Sequence, residues 1–171
     1  IEAQLAVKAA IDHQGPVYMR FGRLAAPDVN GEDYNFEIGK GVTLRDGKDV
    51  TLIGTGLMVA ETLKAADMLA EEGIDARVIN IHTIKPIDEE ILIKASKETG
   101  AIVTAEEHYI MGGLGSAVTE VICANAPCPV KIIGTDRFGK SGKPSVLFEE
   151  YGLTAENIVK NAKEAIALKC G

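Results

Sequence analysis

The chain has 171 residues, 18 basic against 25 acidic side chains, a net charge of −7 and a pI near 5.0. That length holds one compact domain with a sizeable core, and the acidic balance argues against nucleic acid or an anionic membrane as partner. Hydrophobic residues make up 46% and charged ones 25%, which excludes a disordered chain; no apolar run approaches the roughly 18 residues of a membrane span, and no signal-peptide pattern opens the sequence.

Residues 1–14 place Ile1, Leu5, Ala9 and Ile11 on one broad face, with Glu2, Lys8 and Asp12 elsewhere. This predicts an amphipathic helix, and no N-cap stands before it. The chain thus opens at Ile1, without a methionine, inside a helix pattern, as a piece of a longer protein would. Gly15-Pro16 breaks the helix, and residues 17–21 read as a short strand. Nothing nearby can pair with that strand, so residues 1–23 read as a remnant of another domain. Residues 24–49 hold Pro27, Asp28, Asn30, Gly31, Gly39, Gly41 and Gly47 and are assigned to a linker, with one weak strand near 36–38 or 42–44.

From Val50 the pattern becomes regular. Residues 50–53 form a buried-strand run ending in Gly54-Thr55-Gly56; a helix follows through Val59, Leu63, Ala66 and Ala70 and stops at Gly73. Residues 76–81 give the next strand. Asp88 caps a helix to about Thr99, with Ile87 and Leu92 as a hydrophobic staple and Gly100 as the stop. Residues 101–105 are a third strand, followed by Gly112-Gly113-Leu114-Gly115 and a helix through Val118, Val121 and Ile122. Residues 130–133 form a fourth strand. The last helix starts at Thr154, stapled by Leu153 and Ile158. Strands alternating with helices predict an α/β domain over residues 50–171: a three-layer α/β/α arrangement around a five-stranded, mostly parallel, mixed sheet.

The motifs are individually weak. Gly54-x-Gly56 and Gly113-x-Gly115 open helices after strands, but a dinucleotide fingerprint needs a small residue where Val59 and Val118 stand. Tight turns are the simpler reading, although the Gly113–Gly115 turn at a helix start could bind an anion through backbone N–H groups. His108, beside Glu106 and Glu107 at a strand end, is the best placed of the three histidines for acid–base chemistry. No nucleophile elbow or metal-ligand spacing supports it, so a structural or interfacial hydrogen bond is the simpler role. Arg20 and Arg23 carry guanidinium forks suited to phosphate or carboxylate. Arg137, Lys140 and Lys143 crowd a loop that lacks phosphate-loop spacing, and the acidic pairs fall on solvated faces. Cys123, Cys128 and Cys170 form no C-x-x-C pair and fit a reducing, cytoplasmic setting.

In order along the chain stand GTG (54–56), ARVINIHTIKPID (76–88), TAEEH (104–108), GGLGSA (112–117), GTDRFGKSG (134–142) and YGLT (151–154). From Val50 onward this series resembles the C-terminal domain of transketolase. Upstream, GPVYMRFGR (15–23) is similar to the last strand of that family's pyrimidine-binding domain, and residues 1–14 to the helix before it. The sharper likeness is to the split form, encoded as N- and C-terminal sections. The resemblance implies two-carbon ketol transfer between sugar phosphates in the pentose phosphate pathway, with thiamine diphosphate and magnesium in the complete enzyme. The glutamate that hydrogen-bonds the aminopyrimidine and the Asp/Asn metal motif would both precede Ile1, so this chain is expected to bind neither group and to be inactive alone. Its partners would be the N-terminal section and a further copy of the assembly. Arg23 aligns with a sugar-phosphate-binding arginine, with Arg20 a second candidate; Gly22 stands where several members have a hydroxyl residue. His108, Gly113 and Gly115 match positions of interface or ligand turn. Two other readings are a non-catalytic association or anion-binding module, and the equivalent part of deoxyxylulose-phosphate synthase or a 2-oxo acid dehydrogenase subunit.

Overall fold

Aliphatic and β-branched residues predominate in β2 (Val50–Gly54) and β3 (Ala76–Asn80), with Arg77 and Asn80 the polar exceptions, and every position of both strands is buried, as central strands covered on two faces require. The computed structural model describes residues 1–31 and 34–169. Along the chain, α1 (Glu2–Asp12) and β1 (Val42–Arg45) precede β2; α2 (Met58–Glu71), β3, α3 (Glu89–Thr99) and β4 (Ile102–Tyr109) follow. Then come α4 (Leu114–Asn125), β5 (Val130–Thr135), α5 (Pro144–Glu150) and α6 (Ala155–Ala167). The sheet has five strands in the order β1-β3-β2-β4-β5, parallel throughout except for antiparallel β1 at one edge.

Alternation along the strands splits the core into two layers. Val50, Leu52, Val78 and Val103 face α2 and α6, meeting Leu69, Ile158 and Ala162. Ile53, Ile79, Ile81 and Ile102 face α3 and α4, meeting Leu92, Leu114, Val118 and Ile122. Each fully buried Leu or Ile stabilises by about 1.5–3 kcal/mol relative to exposure. α1 has no buried residue and lacks that contribution.

The helix signals hold in detail. Asp88 Oδ1 accepts from Ile91 N (3.3 Å), and its other oxygen accepts from Gly41 N (2.9 Å), tying the entry of β1 to the start of α3. Gly100 closes α3 in the left-handed region (φ +67°). Thr154 Oγ1 accepts from Asn157 N (3.3 Å), and Leu153 and Ile158 share one core layer.

Two local expectations change, and a weak one is met. Residues 17–21 form no strand: they have no ladder partner among the described residues, and residues 11–28 are all exposed. The weak strand expected near 36–38 or 42–44 is β1, at the second of these places, and it pairs with β3 from Val42↔Asn80. α5 is an additional element; Pro144 sits in its first turn, and none of its residues is buried, so no apolar periodicity marks it. Cys123 and Cys128 are free thiols, burial pushing that of Cys128 above its ordinary value; Cys170 lies outside the described residues.

Candidate functional site at the carboxyl edge of the sheet

β2 and β4 are neighbours, yet α2 after β2 packs on one face of the sheet and α4 after β4 on the other. The crevice between their carboxyl ends is therefore the topological switch point, where open α/β sheets bind ligands. On the β2 side, a side chain at Gly54 would stand 2.9 Å from Val59 Cα, so this glycine lets α2 start against the strand. On the β4 side stands Glu106, only 1% exposed.

Glu106 Oε2 accepts from Leu114 N (2.8 Å) and Oε1 from Gly115 N (2.9 Å), so the first turn of α4 already holds a carboxylate. That is the charge a helix N-terminus favours. A β-carbon at Gly113 would collide with Glu106 Oε2, and one at Gly115 would stand 2.5 Å from Ile132 Cγ2. The two glycines thus serve Glu106 and the packing of α4 on β5, and the N–H groups of Leu114 and Gly115 already have a protein acceptor. The sequence pattern singles out His108 and passes over Glu106. An acidic residue directly after the apolar run 101–105, facing a GGLG helix start, was the available signal. His108 is exposed, and its Nδ1 accepts from Tyr109 N (2.7 Å).

The segment bearing the two arginines reaches this same crevice. Gly22 packs on Leu57, where its β-carbon would stand 3.8 Å from Cδ1, and Arg20 Nη2 reaches Glu107 O at 3.5 Å. Both Arg20 and Arg23 are exposed. Beside them, at the end of β3, Asn80 Nδ2 donates to Glu2 Oε2 (2.5 Å), and Tyr34 OH donates to the same oxygen (2.9 Å). Burial, with Glu2's charge second, holds the Tyr34 phenol well above its ordinary range. His82 stacks on Phe36 with ring centroids 4.2 Å apart, and its Nδ1 pairs with Thr83 Oγ1 (2.8 Å). Burial lowers the His82 pKa against an opposing pull from Glu2.

A separate pocket of about 270 Å³ opens at the end of β5, lined in part by Arg137, Tyr151, Asn157 and Asn161. Its basic group, Arg137, and the nearby Lys140 are paired internally. The Arg137 guanidinium lies 4.7 Å over the Tyr151 ring and donates to Asp136 and to Glu150 O (2.8 Å), while Lys140 pairs with Glu150. Among the described residues, no three His, Cys, Asp or Glu side chains cluster to hold a metal, and no helix is long and apolar enough to cross a membrane.

These features define a three-layer α/β domain that caps the helix start at its switch point with its own carboxylate and brings its own N-terminal segment to that edge. Residues 39–158 match the family model described as transketolase, C-terminal domain, and the chain belongs to that family. It is 47% identical over 158 residues to the 6-deoxy-6-sulfo-D-fructose transketolase subunit SqwH of Clostridium sp. (strain MSTE9), covering 92% of this chain and 49% of that protein. A subunit of apulose-4-phosphate transketolase from Phocaeicola vulgatus is 46% identical, covering 94% of this chain and 52% of the relative. A solved structure titled split gene transketolase, inactive beta4 tetramer superposes with a TM-score of 0.95 at 46% identity, over 98% of this chain and 55% of that one. The chain thus spans about half the length of these relatives. The family implies a thiamine-diphosphate-dependent complete enzyme.

Proposed function

We propose that this chain is the C-terminal part of a transketolase of the split form, about half of that enzyme's C-terminal section. With the rest of that section and an N-terminal section, which supply the groups for thiamine diphosphate and magnesium, it serves transfer of a two-carbon ketol unit between sugar phosphates, the chemistry of the pentose phosphate pathway. The observation that carries this reading is that relatives named as transketolase subunits match nearly all of this chain, while the chain spans about half of each, as the C-terminal part of such a subunit would. Residues 1–23 then belong with the pyrimidine-binding domain, residues 24–49 connect, and residues 50–171 form the C-terminal domain. The stretch 17–21 would find its ladder in the N-terminal section, and the assembly would be a cytoplasmic homo-oligomer of paired sections. Arg23, with Arg20 as second contact, would bind the substrate phosphate from its place beside the crevice. The exposed run of His108, Tyr109 and Met111 beside the Gly113–Gly115 turn suits contact with the other section.

This chain joined to the rest of its section and mixed with a matching N-terminal section, thiamine diphosphate and magnesium should give ketol transfer from a ketose phosphate to an aldose phosphate. Each section alone should give none. Turnover by this chain alone would overturn the assignment, as would an inactive mixture whose sections bind one another.

A further inference from the structure

α1 has no fully buried residue: Leu5, Ala6, Ala9 and Ala10 are half-buried, while Val7 and Ile11 are 41% and 77% exposed, so apolar packing holds it only in part. A polar contact reaches it as well. Asn80 ends a strand buried at every position and is itself 1% exposed. An apolar residue would be cheaper there, because a buried amide must find partners or lose about 1–3 kcal/mol. Its Nδ2 finds Glu2, while its Oδ1 has no partner among the described residues, so the amide is placed for α1 and not for the core. Glu2 Oε2 accepts a second bond from Tyr34, 32 residues along the chain. One oxygen therefore pins both ends of the segment that carries Arg20 and Arg23, against the last residue of β3.

We propose that Glu2, Asn80 and Tyr34 form a polar latch that positions the arginine-bearing segment over the carboxyl edge of the sheet, and that they act as positioning residues for binding of the substrate's phosphate. The role assigned to the arginines rests on the function proposed above; the latch itself does not. Both bonds end on one acceptor oxygen, so geometry and not charge is what the latch requires. The amide oxygen of a glutamine at position 2 can accept both.

Two measurements test this. In the full chain, hydrogen exchange of the α1 amides should accelerate about tenfold in Glu2→Ala and in Asn80→Ala, with β2 and β4 amides unchanged. Glu2→Gln should restore the slow exchange. In the enzyme reconstituted from the completed section and its N-terminal partner, Glu2→Ala and Tyr34→Phe should raise KM for a pentose 5-phosphate about tenfold, with kcat within about twofold. Should Asn80→Ala fail to fold, Glu2→Ala alone decides, since Glu2 lies outside the core. Unchanged α1 exchange in Glu2→Ala overturns the latch. Faster exchange with an unchanged KM overturns its positioning role. If the unsubstituted reconstituted enzyme shows no ketol transfer, the functional assignment fails, and the exchange measurement still decides the latch.

Discussion

Both oxygens of Glu106 are engaged by the first turn of α4, and Gly113 is the residue that makes room for them. Glu106→Gln keeps the shape but offers one acceptor where two N–H groups point, so it should destabilise the domain by about 2–3 kcal/mol. Gly113→Ala forces the buried carboxylate off both bonds and should cost about 2–4 kcal/mol. Denaturant unfolding of the two variants measures these losses. At His82, desolvation favours the neutral ring, so its pKa in the folded chain lies below the ordinary 6.5. The unfolded chain therefore takes up the proton first. The stability His82 contributes is present above about pH 6.5 and is lost as pH falls through the lower folded value. The difference in unfolding free energy between the natural chain and His82→Gln should shift as the pH is lowered from about 7.5 to about 5, and a difference that stays flat would contradict this. Glu106 was hard to read from the sequence because its meaning lies in a contact across a turn. Composition and spacing show a carboxylate beside a histidine, and only the fold shows which of the two faces inward.

Asp88 carries two elements at once, the N-terminus of α3 through Ile91 N and the approach to β1 through Gly41 N. Asp88→Ala should lose about 2–3 kcal/mol, more than a cap alone, and lower Tm by roughly 5–10 °C. Exchange of the β1 amides should rise with it; a loss confined to α3 would show that the second bond carries nothing. Asp88→Asn, which keeps an acceptor for the cap, should lose less. Elements with local signals were legible: capped and stapled helices, glycine stops, and strands buried on both faces. α5 was not, because it turns no apolar face inward. β1 was visible only as a weak alternative, since an edge strand of four residues with half-buried sides carries little pattern. The strand expected at 17–21 shows the reverse case, in which β propensity is present and the partner backbone is not.

For the whole molecule, family membership was legible from the ordered series of motifs, none of them decisive alone. What the sequence could not supply was the relation between the first 23 residues and the rest. The structure brings that segment to the switch point, with Gly22 against Leu57 and Arg20 at Glu107 O, and leaves the neighbouring Arg23 exposed. In the reconstituted enzyme, Arg23→Ala should raise KM for the phosphorylated substrate by about 10–100-fold, the value of one or two charge-assisted hydrogen bonds. Arg23→Lys should recover only part, because an ammonium cannot fork across two phosphate oxygens. Equal KM in all three proteins would remove the arginine from the substrate site.

The capped helix start also bears on what the domain ignores in a crowded cell. A carboxylate tethered eight residues from its N–H partner at Leu114 competes at an effective concentration on the order of millimolar or higher, whatever the solution contains. Free phosphate and nucleotides would have to outcompete a group that never diffuses away. The first turn of α4 is in this way made deaf to ambient anions, and recognition of a phosphate at this edge is left to side chains such as the two arginines.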